Sequence, residues 1–128
     1  AAGTLYFLAQ DSLPGDALYS LKRISESVQL SLTADEASRH QLEERFNRRR
    51  LQEIETLIRL NRAAVVEFTG VVQTQGENLW IIENFTVFLP NDVQVPPDIK
   101  EGDRVEVVGL LRTNNVLVAD TIRLAGGQ

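Results

Sequence analysis

The sequence predicts an α+β chain, an N-terminal two-helix hairpin followed by a small five-stranded antiparallel β-barrel, and three observations predict it. Apolar residues recur at three- and four-residue steps as far as residue 62, then alternate with polar ones. The charge balance shifts at the same place. Residues 1–62 hold nine Lys and Arg against nine Asp and Glu, whereas residues 63–128 hold four against nine, so the whole net charge of −5 lies in the second part. Turn-forming residues then cut that second part into five short apolar runs, the pattern of strands joined in a meander. The expected domains are therefore 1–62 and 63–128.

The first helix is expected over about 17–32, because Leu21, Ile24, Val28 and Leu32 fall on one helical face. Pro14 and Gly15 form the turn that feeds it, and Asp16 stands at its N-cap position. Thr33-Ala34-Asp35-Glu36 fits a capping box, which starts a second helix over about 34–61 carrying Ala37, Leu42, Phe46, Leu51, Ile54, Leu57, Ile58 and Leu60. So short a connection makes the two helices antiparallel or sharply angled.

Beyond Ala63 the run Val66 to Gln73 alternates as a strand does. Gln75 to Asn78 reads as a turn, Leu79 to Ile82 as a strand, Glu83-Asn84 as a tight turn and Phe85 to Leu89 as a third strand. Pro90, Pro96 and Pro97 make residues 90–102 a crossing loop, since proline cannot donate to a sheet ladder. Arg104 to Arg112 and Val116 to Leu124 supply two more strands around Thr113-Asn114-Asn115. Five short strands with one long connection between the third and fourth suit an OB-like Greek-key barrel. Gly70 and Gly109, inside strands, mark expected bulges or bends.

Composition excludes several kinds of chemistry. With 43% hydrophobic and 24% charged residues the chain is that of a soluble globular protein. It has no cysteine, so neither disulfides nor thiolate metal sites are available. His40 is the sole imidazole, and with only Glu36, Glu43 and Glu44 nearby it makes a poor metal site and a solitary candidate base. Asp98, Glu101 and Asp103 fall in the crossing loop, where solvated charge is usual. No Gly-rich phosphate loop or nucleophile elbow is present. No enzyme activity, metal or cofactor is expected.

Nucleic acid is disfavoured too. Trp80 and the phenylalanines could form a stacking platform, yet a barrel of net −5 repels phosphates. The basic run Arg45, Arg48, Arg49 and Arg50 reads as a solvated helix face paired with neighbouring acids. Residues 1–10 are largely apolar but far short of the roughly 20 needed to span a bilayer. They read either as the trimmed edge of a signal peptide or anchor, or as a segment that packs on the fold. Without methionine, the chain is expected to be a processed product or an excised fragment.

At Leu13-Pro14-Gly15-Asp16-Ala17-Leu18-Tyr19-Ser20-Leu21-Lys22-Arg23 the chain resembles a bacterial family of extracytoplasmic helical domains of unknown function. That family occurs in the outer parts of some membrane-anchored anti-sigma factors and in secreted proteins. The likeness covers roughly residues 12–60. The barrel part, with Phe68-Thr69-Gly70-Val71-Val72, Gly102-Asp103-Arg104-Val105-Glu106-Val107 and Ala119-Asp120-Thr121-Ile122, looks like uncharacterised bacterial OB-like domains. The resemblance implies a place outside the cytoplasmic membrane, a tether through an upstream anchor and a protein partner. It offers Pro14, Asp16, Tyr19 and Lys22 as an interaction surface, to which Trp80 is added from the barrel. The alternatives are an OB-type module for oligosaccharide or single-stranded nucleic acid, and a scaffold that self-associates, which light scattering across concentrations would reveal.

Overall fold

The computed structural model describes residues 13–16 and 19–125, and the expectations for residues 1–10 and for the start of the first helix at Ala17 lie outside them. The chain divides into two compact units, residues 1–53 and 54–128. The division falls inside the second helix.

In the first unit, Leu13 to Asp16 form a hydrogen-bonded turn, with Asp16 N–H donating to the Leu13 carbonyl at 2.8 Å. Pro14 presets the second position, and Gly15 takes φ +95° at the third, as a type II turn requires. The Asp16 carboxylate accepts the Leu13 N–H at 2.8 Å and closes the turn from the other side. Helix α1 follows over Tyr19–Leu32 and helix α2 over Glu36–Arg59.

The cap of α2 differs from the predicted capping box. Asp35, not Thr33, accepts the Ser38 N–H at 2.9 Å, while the Thr33 hydroxyl turns back and donates to the Gln29 carbonyl at 2.8 Å. One threonine thus closes α1 and one aspartate opens α2. Both Ser38 groups, first the N–H and then the hydroxyl, hold the Asp35 carboxyl below its ordinary range.

A larger departure concerns the face of α1. Ile24, Val28 and Leu32, predicted to point inward, are 59%, 51% and 80% exposed, whereas Lys22 and Glu26 are buried. On α2, Phe46 is buried together with Arg50 and Glu53. The helices of this unit meet through charge.

The second unit begins with the last turns of α2, where Ile54 and Leu57 are buried. A left-handed Asn61 (φ +58°) then stops the helix. Asn61 N–H donates to Ile58 at 3.1 Å and Arg62 N–H to Leu57 at 3.0 Å, the paired bonds of a Schellman cap.

Five strands follow: β1 Ala64–Gln75, β2 Leu79–Ile82, β3 Phe85–Phe88, β4 Arg104–Leu111 and β5 Val116–Leu124. They close as a barrel in the order β1-β2-β3-β5-β4, the OB-like arrangement. One seam departs from the antiparallel expectation, since β3 and β5 pair in parallel. The reason is parity: directions cannot alternate all the way round a ring of five. Glu83 and Asn84, at φ +50° and +67°, give the two-residue β2–β3 turn the twist its flanking strands need.

Alternate residues face inward along the strands except where bulges interrupt β1 after Val72 and β5 at Asp120, and Phe68, Ile82, Val87, Val105, Val107 and Leu117 are fully buried. Phe68 and Phe85 meet edge to face, with centroids 5.4 Å apart. At the predicted bend the β4–β5 register shifts, with Asp120 of β5 as the extra residue beside Gly109, and a Cβ on Gly109 would stand 2.4 Å from the Val118 carbonyl oxygen. At Gly70 a Cβ would collide with the Glu83 side chain, whose carboxylate accepts the Val71 N–H at 2.9 Å. The crossing loop is pinned by buried Leu89 and Ile99, and the Ile99 carbonyl accepts from the Gln75 amide at 3.0 Å.

Candidate functional site

The buried charges of the hairpin unit form one cluster. Tyr19, Lys22 and Glu26 recur on one face of α1 at steps of three and four, and Phe46, Arg50 and Glu53 do so on α2. Lys22 pairs with Glu53, and Glu26 with Arg49 and Arg50. Partners further along α1 are earlier on α2, so the two helices run antiparallel.

Arg50 is the hub. Its Nη1 and Nη2 donate to Glu26 Oε1 and Oε2, each at 2.6 Å, as a bidentate fork. Its Nε donates to Glu53 Oε1 at 2.9 Å. Glu53 also accepts the Lys22 ammonium and, at 2.9 Å, the Tyr19 hydroxyl. Arg49 adds a bond of 2.7 Å to Glu26 from a half-buried position, and Arg23 stands 3.7 Å from Glu26. The Tyr19 ring lies beneath two cations, with Lys22 Nζ at 5.8 Å and the Arg50 guanidinium at 5.7 Å from its centre.

Electrostatics follow from this packing. Lys22, Glu26, Arg50 and Glu53 are 3–6% exposed, two cations against two anions. Burial pushes the Tyr19 hydroxyl up to about 12; Arg50 pulls it down, and Glu53 pushes it further up. Every oxygen of Glu26 and Glu53 is taken by a cationic or phenolic donor, so neither acid is available as a general base. The cluster is a clamp.

The predicted surface residues divide accordingly. Tyr19 and Lys22 are brought together in the clamp, while Pro14 and Asp16 build the turn ahead of it. Pro14 and Lys22 are buried, so they shape the fold and present no outer surface. Trp80 is buried on β2, its indole N–H donating to the Gly76 carbonyl at 3.1 Å. It lines a pocket of about 500 Å³ with Gln75, Glu77, Asn78 and Asn91. Arg50, expected in a solvated basic face, is buried by its two carboxylates, whereas Arg45 and Arg48 are exposed. Sequence reasoning paired the basic run with acids of its own helix, Glu53 among them, but missed Glu26 and the burial of Arg50 and Glu53, because apolar spacing outranked charge spacing, although their own helical period was readable.

Among the described residues, no group of three His, Cys, Asp or Glu side chains could hold a metal ion, and no helix is long and apolar enough to cross a membrane. His40 is exposed. A family model described as a domain of unknown function, DUF5667, matches residues 11–79, just over half of the chain. The chain belongs to this family. The DUF5667 match takes in the turn, the clamp, both helices, β1 and the start of β2, and no enzyme family is indicated. No curated protein matches.

Solved structures similar to the chain include the S. pombe Stn1–Ten1 complex, at 20% identity over 59% of this chain and 74% of that one, with a TM-score of 0.45. The telomere capping protein Ten1 from Saccharomyces pombe is 22% identical over 58% and 78%, with a TM-score of 0.44. Apo-CusF from Escherichia coli is 18% identical over 50% and 90%, with a TM-score of 0.40. At TM-scores this low they decide nothing about function.

Proposed function

We propose that this DUF5667 chain is a non-enzymatic interaction and sensing module that works outside the cytoplasmic membrane, as the outer portion of a membrane-anchored anti-sigma factor. What carries the reading is the inversion of α1. Its charged face is locked into the clamp, which leaves Ile24, Val28 and Leu32 turned outward at helical spacing. Such a stripe suits the apolar face of an amphipathic helix on a protein partner. The likeness of Leu13 to Arg23 to extracytoplasmic domains supports the location and the tether. The test is the reading frame upstream of Ala1, which should encode a transmembrane helix preceded by a small cytoplasmic sigma-binding domain. A frame with neither would sink the proposal.

The Trp80 pocket favours a second reading, an OB-type ligand module. The side-chain amides and the carboxylate that line it suit the hydroxyls of an oligosaccharide, while the acidity of the barrel weighs against single-stranded nucleic acid. Titrating Trp80 emission with short glycans and oligonucleotides tests it, and unchanged emission with no binding heat removes it.

A further inference from the structure

The outer surface of the barrel carries an apolar row that neither the core nor the clamp explains. Register places Val65 of β1 opposite Leu110 of β4, and Leu110 opposite Val118 of β5. Val118 lies opposite Phe88 of β3, and Phe88 opposite Leu79 of β2. All five residues sit at outward positions of their strands, between inward neighbours such as Val66, Leu111, Leu117, Val87 and Trp80. Val65, Leu79 and Leu110 are 67%, 45% and 41% exposed. Outward positions on a small barrel are ordinarily polar, and apolar surface continuous across several strands marks a contact surface.

Over the Val65–Leu110–Val118 part of the row, Pro90 and Val93 from the crossing loop raise a wall and make a groove of about 450 Å³. Asp92 and Asp120 also line it. Both are exposed, and among the described residues neither carboxylate has a hydrogen bond or ion pair. Two uncommitted anions beside an apolar floor, on a barrel half with nine acids against four bases, select a cationic occupant. The same surplus repels a second copy of the barrel.

We infer that this groove docks an extended, basic segment of a protein partner, in which aliphatic side chains alternate with Lys or Arg. At strand spacing the Val65–Leu110–Val118 floor of the groove runs about 10 Å, which matches about three residues of extended peptide, while Phe88 and Leu79 carry the row on round the closed barrel. Aliphatic side chains on one face of that peptide meet the floor, and the long Lys or Arg stems between them fold back over the groove edges to Asp92 and Asp120. The inference concerns a surface apart from α1 and stands whether or not the anti-sigma reading holds.

The test uses the whole chain, labelled for amide NMR, and the synthetic peptide Lys-Val-Lys-Val-Lys-Val-Lys. Shifts are expected around Val65, Leu110, Val118, Asp92 and Asp120. Binding should weaken about ten-fold in Leu110→Ser, and as much in Asp92→Asn/Asp120→Asn, with the salt dependence reduced in the latter. Unchanged Trp80 emission and circular dichroism would show that both variants fold. Equal binding by the counterpart with Glu for Lys, or by the one with Ser for Val, overturns the inference. So do shifts that map elsewhere or variants that bind as the parent does. A concentration-dependent dimer that Leu110→Ser abolishes would assign the groove to a second copy and overturn it as well.

Discussion

Glu53 accepts from three side chains at once, and its charge is what makes the hairpin's buried cations tolerable. Glu53→Gln keeps the shape and removes the charge, leaving Lys22 and Arg50 buried and short of one anion. Breaking a buried pair from one side costs about 3–5 kcal/mol, to be read as a lower urea midpoint at unchanged slope. Replacing Lys22, Glu26, Arg50 and Glu53 together with Met and Leu should instead leave stability unchanged or raise it, because the desolvation cost disappears with the charges. Tyr19 gives a second prediction. Its pKa is raised in the fold, from an ordinary 10 to about 12, so its neutral form stabilises the protein fully below pH 10 and that contribution fades as pH climbs toward 12. In a Tyr6→Phe background, the phenolate absorbance should appear near pH 12; ionisation near pH 10 would contradict the buried hydroxyl. At this scale the sequence was least legible. Lys22 and Glu26 look like solvent-facing charges beside an apolar stripe, and only their pairing in space with Arg50 and Glu53 reverses that.

Among the elements, α2 illustrates how local chemistry fixes a boundary. Asn61 takes the left-handed position that ends the helix, where a β-branched residue is strained and glycine is free. Asn61→Val is expected to cost about 1–2 kcal/mol, whereas Asn61→Gly should be neutral or slightly stabilising; thermal melts of the two variants check the order. The strands were legible nearly to the residue, because alternation, the Glu83-Asn84 turn and the prolines of the crossing loop each have one physical meaning. The cap of α2 was not. Thr33 and Asp35 both suit an N-cap, and the choice fell to Asp35 once Thr33 found the Gln29 carbonyl. Trp80, a candidate platform by residue type alone, turned out to sit at an inward position of β2.

At the scale of the whole molecule, the β4–β5 seam of the barrel carries a bulge at Asp120, and the Val118 backbone next to it lies close against Gly109. A valine there would drive its side chain into the Val118 backbone, where nothing flexible can give way. Gly109→Val should therefore cost about 3 kcal/mol or more and expose Trp80, seen as a red-shifted, readily quenched emission; native-like emission would show that the seam tolerates the strain. The hairpin relies on a different device. If α2 slid one helical turn along α1, Lys22 would face Arg50, and Glu26 would lose its cation and meet Phe46. A slide the other way would set Glu26 against Glu53. An apolar seam would accept either slip at modest cost, since one aliphatic side chain resembles the next. The four buried charges work as the wards of a lock, admitting a single alignment of the two helices and so fixing which residues of α1 look outward.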